Sequence, residues 1–234
     1  MKYVFSDIHG RFDKYKEMVE RINLSEDDTL YFLGDAIDRG PDGFKILLDM
    51  ANRPNVVALM GNHEAMAIDA LPGILRLISD EDNTMFTRRA FETVKLWFYN
   101  GGEASLDDFL HLSAEDRKRV WKYMKSMPLY KEVEAGGRSF VLLHGGLEGF
   151  STERSLEEYS QDDIVWCRPD PDTTYYSDKC VIIGHTPVQF MTKDHISEPE
   201  FFKGDGFIDI DCGCVYGGGR LGCLCLDTME EIYV

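Results

Sequence analysis

Long apolar runs are missing from this 234-residue chain. A helix that crosses a bilayer needs roughly 20 consecutive apolar residues, and no stretch comes close. The opening Met1-Lys2-Tyr3-Val4-Phe5-Ser6-Asp7 turns polar too soon for a signal peptide, so a cytoplasmic protein is expected. Positive charge is also scarce, with 25 Lys and Arg against 42 Asp and Glu and a net charge of -17. That balance excludes a general nucleic-acid or anionic-membrane surface, because both partners would be repelled at long range. An anionic ligand would need a local source of positive charge, and metal ions are the obvious one. The six cysteines do not form the framework of a small secreted domain, so reduced thiols are expected. Low-complexity tracts, internal repeats and clear linkers are absent too, which points to one domain over residues 1–234.

What is present alternates between strand and helix signals. Lys2 to Ser6, Thr29 to Leu33 and Asn55 to Leu59 are β-prone runs. Between them lie helical patterns from Arg11 to Ile22 and from Phe44 to Met50, and Glu64 to Ala70 restarts a helix. A β-α-β-α-β order predicts parallel strands and an α/β fold. Residues 65 to about 127 read as mostly helical. There Phe91, Val94 and Phe98 share one face and are expected in the core. Asn100-Gly101-Gly102 breaks this helix from the next, which carries Val120 and Met124. Strand signals return at Leu129 to Val133, Ser139 to Leu143, Cys180 to Ile183, Phe207 to Asp211, Leu221 to Leu226 and Glu231 to Val234. Segments 170–178 and 193–206 read as surface loops.

Polar residues collect where the strands end. The first three strands run into Asp7-Ile8-His9-Gly10, Gly34-Asp35-Ala36-Ile37-Asp38-Arg39-Gly40 and Gly61-Asn62-His63-Glu64. Two later ones run into His144-Gly145-Gly146 and Gly184-His185-Thr186. In parallel α/β sheets the carboxyl ends of the strands are where ligands bind, so the five segments are expected to converge. Carboxylate, imidazole and one amide oxygen suit divalent ions such as Mn, Fe or Zn. A bridging carboxylate can hold two ions about 3.5–4 Å apart with a shared hydroxide as nucleophile. Asp35, on the middle segment, is the natural bridge. Taken alone, Asp7-x-His9 could be a structural pair and Asn62 a helix cap. Five such segments in order, each at a strand end, point to chemistry.

These five segments resemble the phosphoprotein phosphatase family of metallophosphoesterases, and the order and spacing agree from residue 4 to the end. The short length and the tail Tyr216-Gly217-Gly218-Gly219-Arg220-Leu221 are similar to its bacterial and phage branch, which includes Ser/Thr protein phosphatases and symmetrical diadenosine tetraphosphatases. The resemblance implies a β-sandwich flanked by helices, with a helical insertion over about 65–127. It implies one metal site from Asp7, His9 and Asp35 and a second from Asp35, Asn62, His144 and His185. Manganese would be the first choice of ion, with Fe, Zn, Ni or Co as alternatives. His63 would be the general acid, oriented by Asp38, while Arg39, Arg168 and Asn62 would hold the phosphate. Two ions at about +4, three carboxylates at about -3, a hydroxide at about -1 and two arginines at about +2 leave about +2, which matches a phosphate dianion.

The expected partner is therefore a phosphorylated protein or a small phosphorylated molecule. The leading reading is hydrolysis of phosphoserine and phosphothreonine, and the alternative is cleavage of diadenosine tetraphosphate to two ADP. A non-catalytic binding module would have lost His63, Arg39 or a ligand, and none is missing here. Cys212-Gly213-Cys214 and Cys223-Leu224-Cys225 could make a four-thiolate site, but buried strand cysteines are the simpler reading. His111, His195 and the pair Arg88-Arg89 read as solvated surface. Tyr216 lies in a loop that, in the family it resembles, overhangs the active site.

Overall fold

The computed structural model describes residues 1–78, 87–191 and 198–234. Its strands are β1 (Lys2–Phe5), β2 (Thr29–Phe32), β3 (Val56–Ala58), β4 (Tyr130–Ala135) and β5 (Arg138–Leu143), then β6 (Cys180–Ile183), β7 (Phe202–Lys203), β8 (Phe207–Asp209), β9 (Gly222–Cys225) and β10 (Glu231–Tyr233). Its helices are α1 (Phe12–Arg21), α2 (Gly43–Ala51), α3 (Asn62–Ile78), α4 (Arg88–Tyr99), α5 (Gly102–His111), α6 (Ala114–Lys125), α7 (Gln161–Val165) and α8 (Val188–Met191).

Two five-stranded sheets result, in the orders β10-β9-β1-β2-β3 and β4-β5-β6-β8-β7. Parallel pairing joins β1-β2-β3 along one side of the first sheet and β5-β6-β8 in the middle of the second, and the remaining strands pair antiparallel. The strands read as continuous apolar runs because both faces are buried. Along β2 and just beyond it, Tyr31 and Leu33 enter one core cluster while Leu30 and Phe32 enter another. Phe140 and Leu142 on β5 join Tyr31 and Leu33, and Val141 and Leu143 turn to the opposite face. Val4, Leu59, Ile182 and Ile208 complete the layer between the sheets, while α1, α2 and α3 supply Met18, Leu47 and Ala67 to the outer layer. The molecule is thus an α/β sandwich of two sheets with helices packed outside. Each fully buried Phe or Leu contributes roughly 1.5–3 kcal/mol to that arrangement.

Four expectations need correction. Phe91 is exposed, so its face of α4 is not core; Trp97 is the buried residue of that helix. Val94 and Phe98 are only partly covered. The helix after Gly101-Gly102 ends at His111, and Val120 and Met124 lie on a separate helix, α6. Its start is set by Ser113, whose hydroxyl caps the Asp116 N–H. Segment 170–178 is not all surface, since Tyr175 is buried and its hydroxyl accepts the Leu147 N–H. Segment 193–206 includes the short strand β7 and buried Phe201. His195 lies outside the described residues. Among the described helices none is long and apolar enough to cross a membrane.

Candidate metal centre and active site

Every polar segment singled out in the sequence begins where a parallel strand stops. Asp7 and His9 follow β1, Asp35, Asp38 and Arg39 follow β2, and Asn62 and His63 open α3 just after β3. His144 follows β5 and His185 follows β6. The backbone there is unusual. Nine non-glycine residues among those described have positive φ, and six of them are Asp7, His9, Asp35, Asp38, Arg39 and His185. Left-handed backbone costs such residues about 1 kcal/mol or more each, and it persists only where surrounding contacts impose it. Glu64 is one such contact. Its buried carboxylate accepts the N–H groups of Asp35, Ala36 and Gly61, strapping the second loop to the third. Burial, then the nearby Asp35 charge, raise its pKa to about 7.

Asp35 sits at the centre. Its Oδ1 accepts the His63 N–H at 3.0 Å, which fixes the carboxylate. Its Oδ2 lies 3.7 Å from Nε2 of His9, 3.7 Å from Nε2 of His63 and 3.4 Å from Nε2 of His144. The rings of His9 and His144 are held from behind. Nδ1 of His9 donates to the Ile37 carbonyl at 2.9 Å, and Nδ1 of His144 donates to the Leu33 carbonyl at 2.8 Å. A carbonyl can only accept, so Nδ1 carries a proton in both rings and Nε2 faces inward. Asn62 places its Oδ1 2.9 Å from Nε2 of His144. Asp7 is gripped through Oδ2 by the Ser6 hydroxyl and the His185 N–H.

Two buried atoms have no hydrogen-bond partner in this centre: Asp7 Oδ1 and His185 Nε2. A buried acceptor without a partner is costly, and both are of the kind that binds a divalent ion. His9 and Asp35 group with His63 closely enough to hold a metal, and Asp35 groups likewise with His144 and His185; Asp7, expected as a ligand, is in neither group, and its orphaned Oδ1 is what marks it as one. The residues therefore fit divalent metal ions, with Asp35 common to both groups. Electrostatics agrees. Burial first, and then neighbouring imidazoles, push the His9 and His185 pKa well below the usual value, so both are neutral and ready to ligate. Burial opposes charge on His144, but the Asp35 and Asp7 carboxylates outweigh it and raise its pKa to about 9. That excess proton marks a site rich in negative charge.

His63 is distinguished from the other three histidines by what lies behind it. Its Nδ1 meets the buried Asp38 carboxylate at 2.6 Å rather than a carbonyl. Burial disfavours its charge, yet Asp35 and Asp38 prevail and its pKa rises above the ordinary histidine value. Arg39 places Nη1 2.8 Å from Nε2 of His9 and Nη2 3.2 Å from Nε2 of His63. Its guanidinium also lies over the Tyr216 ring at 5.6 Å, so that tail loop does reach the centre. Arg168 is held beside His185, where Nη1 donates to the His185 carbonyl and the Thr186 hydroxyl. Beside Arg168 is a cavity of about 310 Å³ lined by Leu147, Glu148, Phe150, Asp170, Thr173 and Tyr175.

A family model for calcineurin-like phosphoesterases matches residues 3–210. The chain belongs to that family. Serine/threonine-protein phosphatase 2 of Salmonella typhimurium is 28% identical to this phosphoesterase over 169 residues, covering 71% of the chain and 67% of that protein. The asymmetrical bis(5'-nucleosyl)-tetraphosphatase PrpE of Bacillus velezensis is 25% identical over 244 residues, covering 94% and 86%. The chain spans less than half the length of symmetrical relatives, 44% of the one from Delftia acidovorans. A crystal structure described provisionally as a diadenosine tetraphosphatase shares the fold, with a TM-score of 0.67, 18% identity and coverage of 100% and 92%.

Other candidates stay outside the centre. Among the described residues no group of cysteines is arranged to hold a metal, and all six thiols are free. Cys212 packs between the sheets while Cys214 and Cys223 face the outer core, and burial pushes the Cys214 thiol up to about 12. His111, Arg88 and Arg89 are exposed. Sequence reasoning missed Ser6, Glu64 and two residues of the helical stretch, Trp97 and Ser105. Trp97 Nε1 donates to both oxygens of Asp38, and Ser105 Oγ accepts the Asp38 N–H at 2.6 Å. Only Glu64, adjoining the Asn62-His63 pair, lay inside a segment already singled out.

Proposed function

We propose that this phosphoesterase hydrolyses phosphomonoesters, with phosphoserine and phosphothreonine of proteins as its substrates. The observation that carries the reading is the convergence of three imidazole Nε2 atoms on one Asp35 oxygen at 3.4–3.7 Å. Two divalent ions, manganese foremost among Mn, Fe, Zn, Ni and Co, held by Asp7, His9 and Asp35 and by Asp35, Asn62, His144 and His185, would supply charge for the phosphoryl oxygens and lower the pKa of water.

The chain's own groups do the rest. Arg39 and Arg168 would contribute planar guanidinium groups that match phosphate oxygens, and the Asn62 amide would add a donor. The Asp35 and Asp38 carboxylates raise the His63 pKa against its burial and so favour the charged ring, whose Nε2 would carry the proton. His63 delivers that proton to the departing alkoxide, which is otherwise a poor leaving group. Glu148 and Asp170, lining the cavity beside Arg168, would repel additional phosphates there and accept a neutral or basic peptide. Free thiols throughout are in keeping with a cytoplasmic setting.

Phosphate release from phosphopeptides by manganese-reconstituted enzyme tests the reading. Inertness toward phosphoserine and phosphothreonine peptides, beside turnover of diadenosine tetraphosphate, would sink it. That outcome would favour the second reading, which the full-length similarity to the PrpE relative supports. Two ADP would then indicate symmetrical cleavage and unequal products the asymmetrical kind.

A further inference from the structure

The Asp38 carboxylate is fully buried, and a buried carboxylate needs a hydrogen bond at each oxygen to remain ionised and fixed. His63 Nδ1 engages only Oδ2. The indole Nε1 of Trp97 reaches both oxygens, 3.0 Å from Oδ1 and 2.9 Å from Oδ2. An indole N–H can only donate, so both Asp38 oxygens act as acceptors toward it. Nδ1 of His63 must then be the donor, which leaves Nε2 to face the reacting centre.

The same corner of the helical stretch grips the neighbouring backbone. Gly101 gives its carbonyl to the Arg39 N–H at 3.1 Å, and Ser105 takes the Asp38 N–H. A Cβ on Gly102 would come within 2.6 Å of the Trp97 ring, so the indole is packed directly on that glycine. Asp38 and Arg39 both have left-handed backbone, at φ 70° and 66°. Three residues of one helical corner thus hold two left-handed residues of a distant loop.

We infer that Trp97 is a positioning residue for His63, acting through Asp38: its indole N–H locks the carboxylate that sets the ring's orientation and tautomer. The inference rests on the reading of His63 as general acid. It also gives the helices between β3 and β4 a part in catalysis, since α4 and α5 supply the lock.

The test exploits leaving-group chemistry. A proton donor matters for a basic leaving oxygen and little for a stabilised one, whereas a loosened phosphate or metal site slows both. In Trp97→Phe, which keeps the ring's packing and removes the N–H, kcat should be measured on phenyl phosphate and on 2,4-dinitrophenyl phosphate. The expected result is a rate ratio that widens about tenfold in favour of the dinitrophenyl ester, with KM for both within about twofold, a fraction of the usual general-acid contribution. His63→Ala run beside it should widen the ratio further. If His63→Ala widens it and Trp97→Phe does not, Trp97 only fills space and the inference falls alone. If neither widens it, the acid role itself is wrong and both fall. Should Trp97→Phe fail to fold, the indole N–H resonances of the intact enzyme give the answer. One of the three should move when Asp38 becomes Asn, and no movement would overturn the inference.

Discussion

His63 and Asp35 share a buried centre but ask for different chemistry. A proton donor is helped by a raised pKa, and two carboxylates raise that of His63 against its burial. His63→Ala should lower kcat on phosphopeptides by about 10²–10⁴-fold, the usual contribution of a positioned acid, while metal content measured by mass spectrometry stays near that of wild type. Asp35 is proposed as the common ligand, so its loss should register as metal rather than as proton transfer. Asp35→Asn should cut bound metal to about one ion or fewer and abolish activity even with excess manganese, since a neutral amide binds a shared pair of divalent ions poorly. Two bound ions in that variant would show that Asp35 does not bridge.

At the scale of elements, strands were the most legible feature of the sequence. Runs such as Thr29 to Phe32 and Cys180 to Ile183 are apolar on both faces and are followed by glycine with aspartate or histidine, so their ends, and the residues that follow them, could be read directly. The helical stretch was less legible, because its partners are far away in the chain. Trp97 meets Asp38 across 59 positions, and a lone tryptophan on an amphipathic helix looks like ordinary core. Phe91 misled for the opposite reason: periodicity reports a face, not whether anything covers it. The β–loop junctions depend on backbone clearance that composition only hints at. A Cβ on Gly61 would fall 2.3 Å from Asp35 Oδ1 and 2.5 Å from its backbone nitrogen. Gly61→Ala should therefore cost about 1–3 kcal/mol by urea unfolding and weaken metal binding, as expected for overpacking. Gly217, with open space around its Cβ position, is the control and should tolerate alanine with little change.

For the whole molecule, the net charge of -17 and the anionic substrate are reconciled only by a local positive centre, and that dependence has a pH signature. Without metal, His144 carries a raised pKa of about 9, and His63, Asp209 and Asp211 also sit above their ordinary values through burial and neighbouring carboxylates. For each of these groups the folded state binds more protons than the unfolded chain, so stability falls as pH rises through the gap. His9 and His185, shifted down, act in the opposite sense, but only below about pH 6.5, where the unfolded histidine titrates. Between pH 7 and 9 the active-site groups still titrating all pull one way. His144 alone should remove on the order of 2 kcal/mol over that range. In chains of this size that is about 6 °C of melting temperature. Metal binding needs deprotonated ligands, so added manganese should stabilise more at pH 9 than at pH 7 and flatten the profile. Melting curves of the chelator-treated and manganese-loaded protein at both pH values check this. A metal-free protein that gained stability from pH 7 to 9, or a manganese effect that shrank, would mean that the buried acidic centre is not where the ions bind.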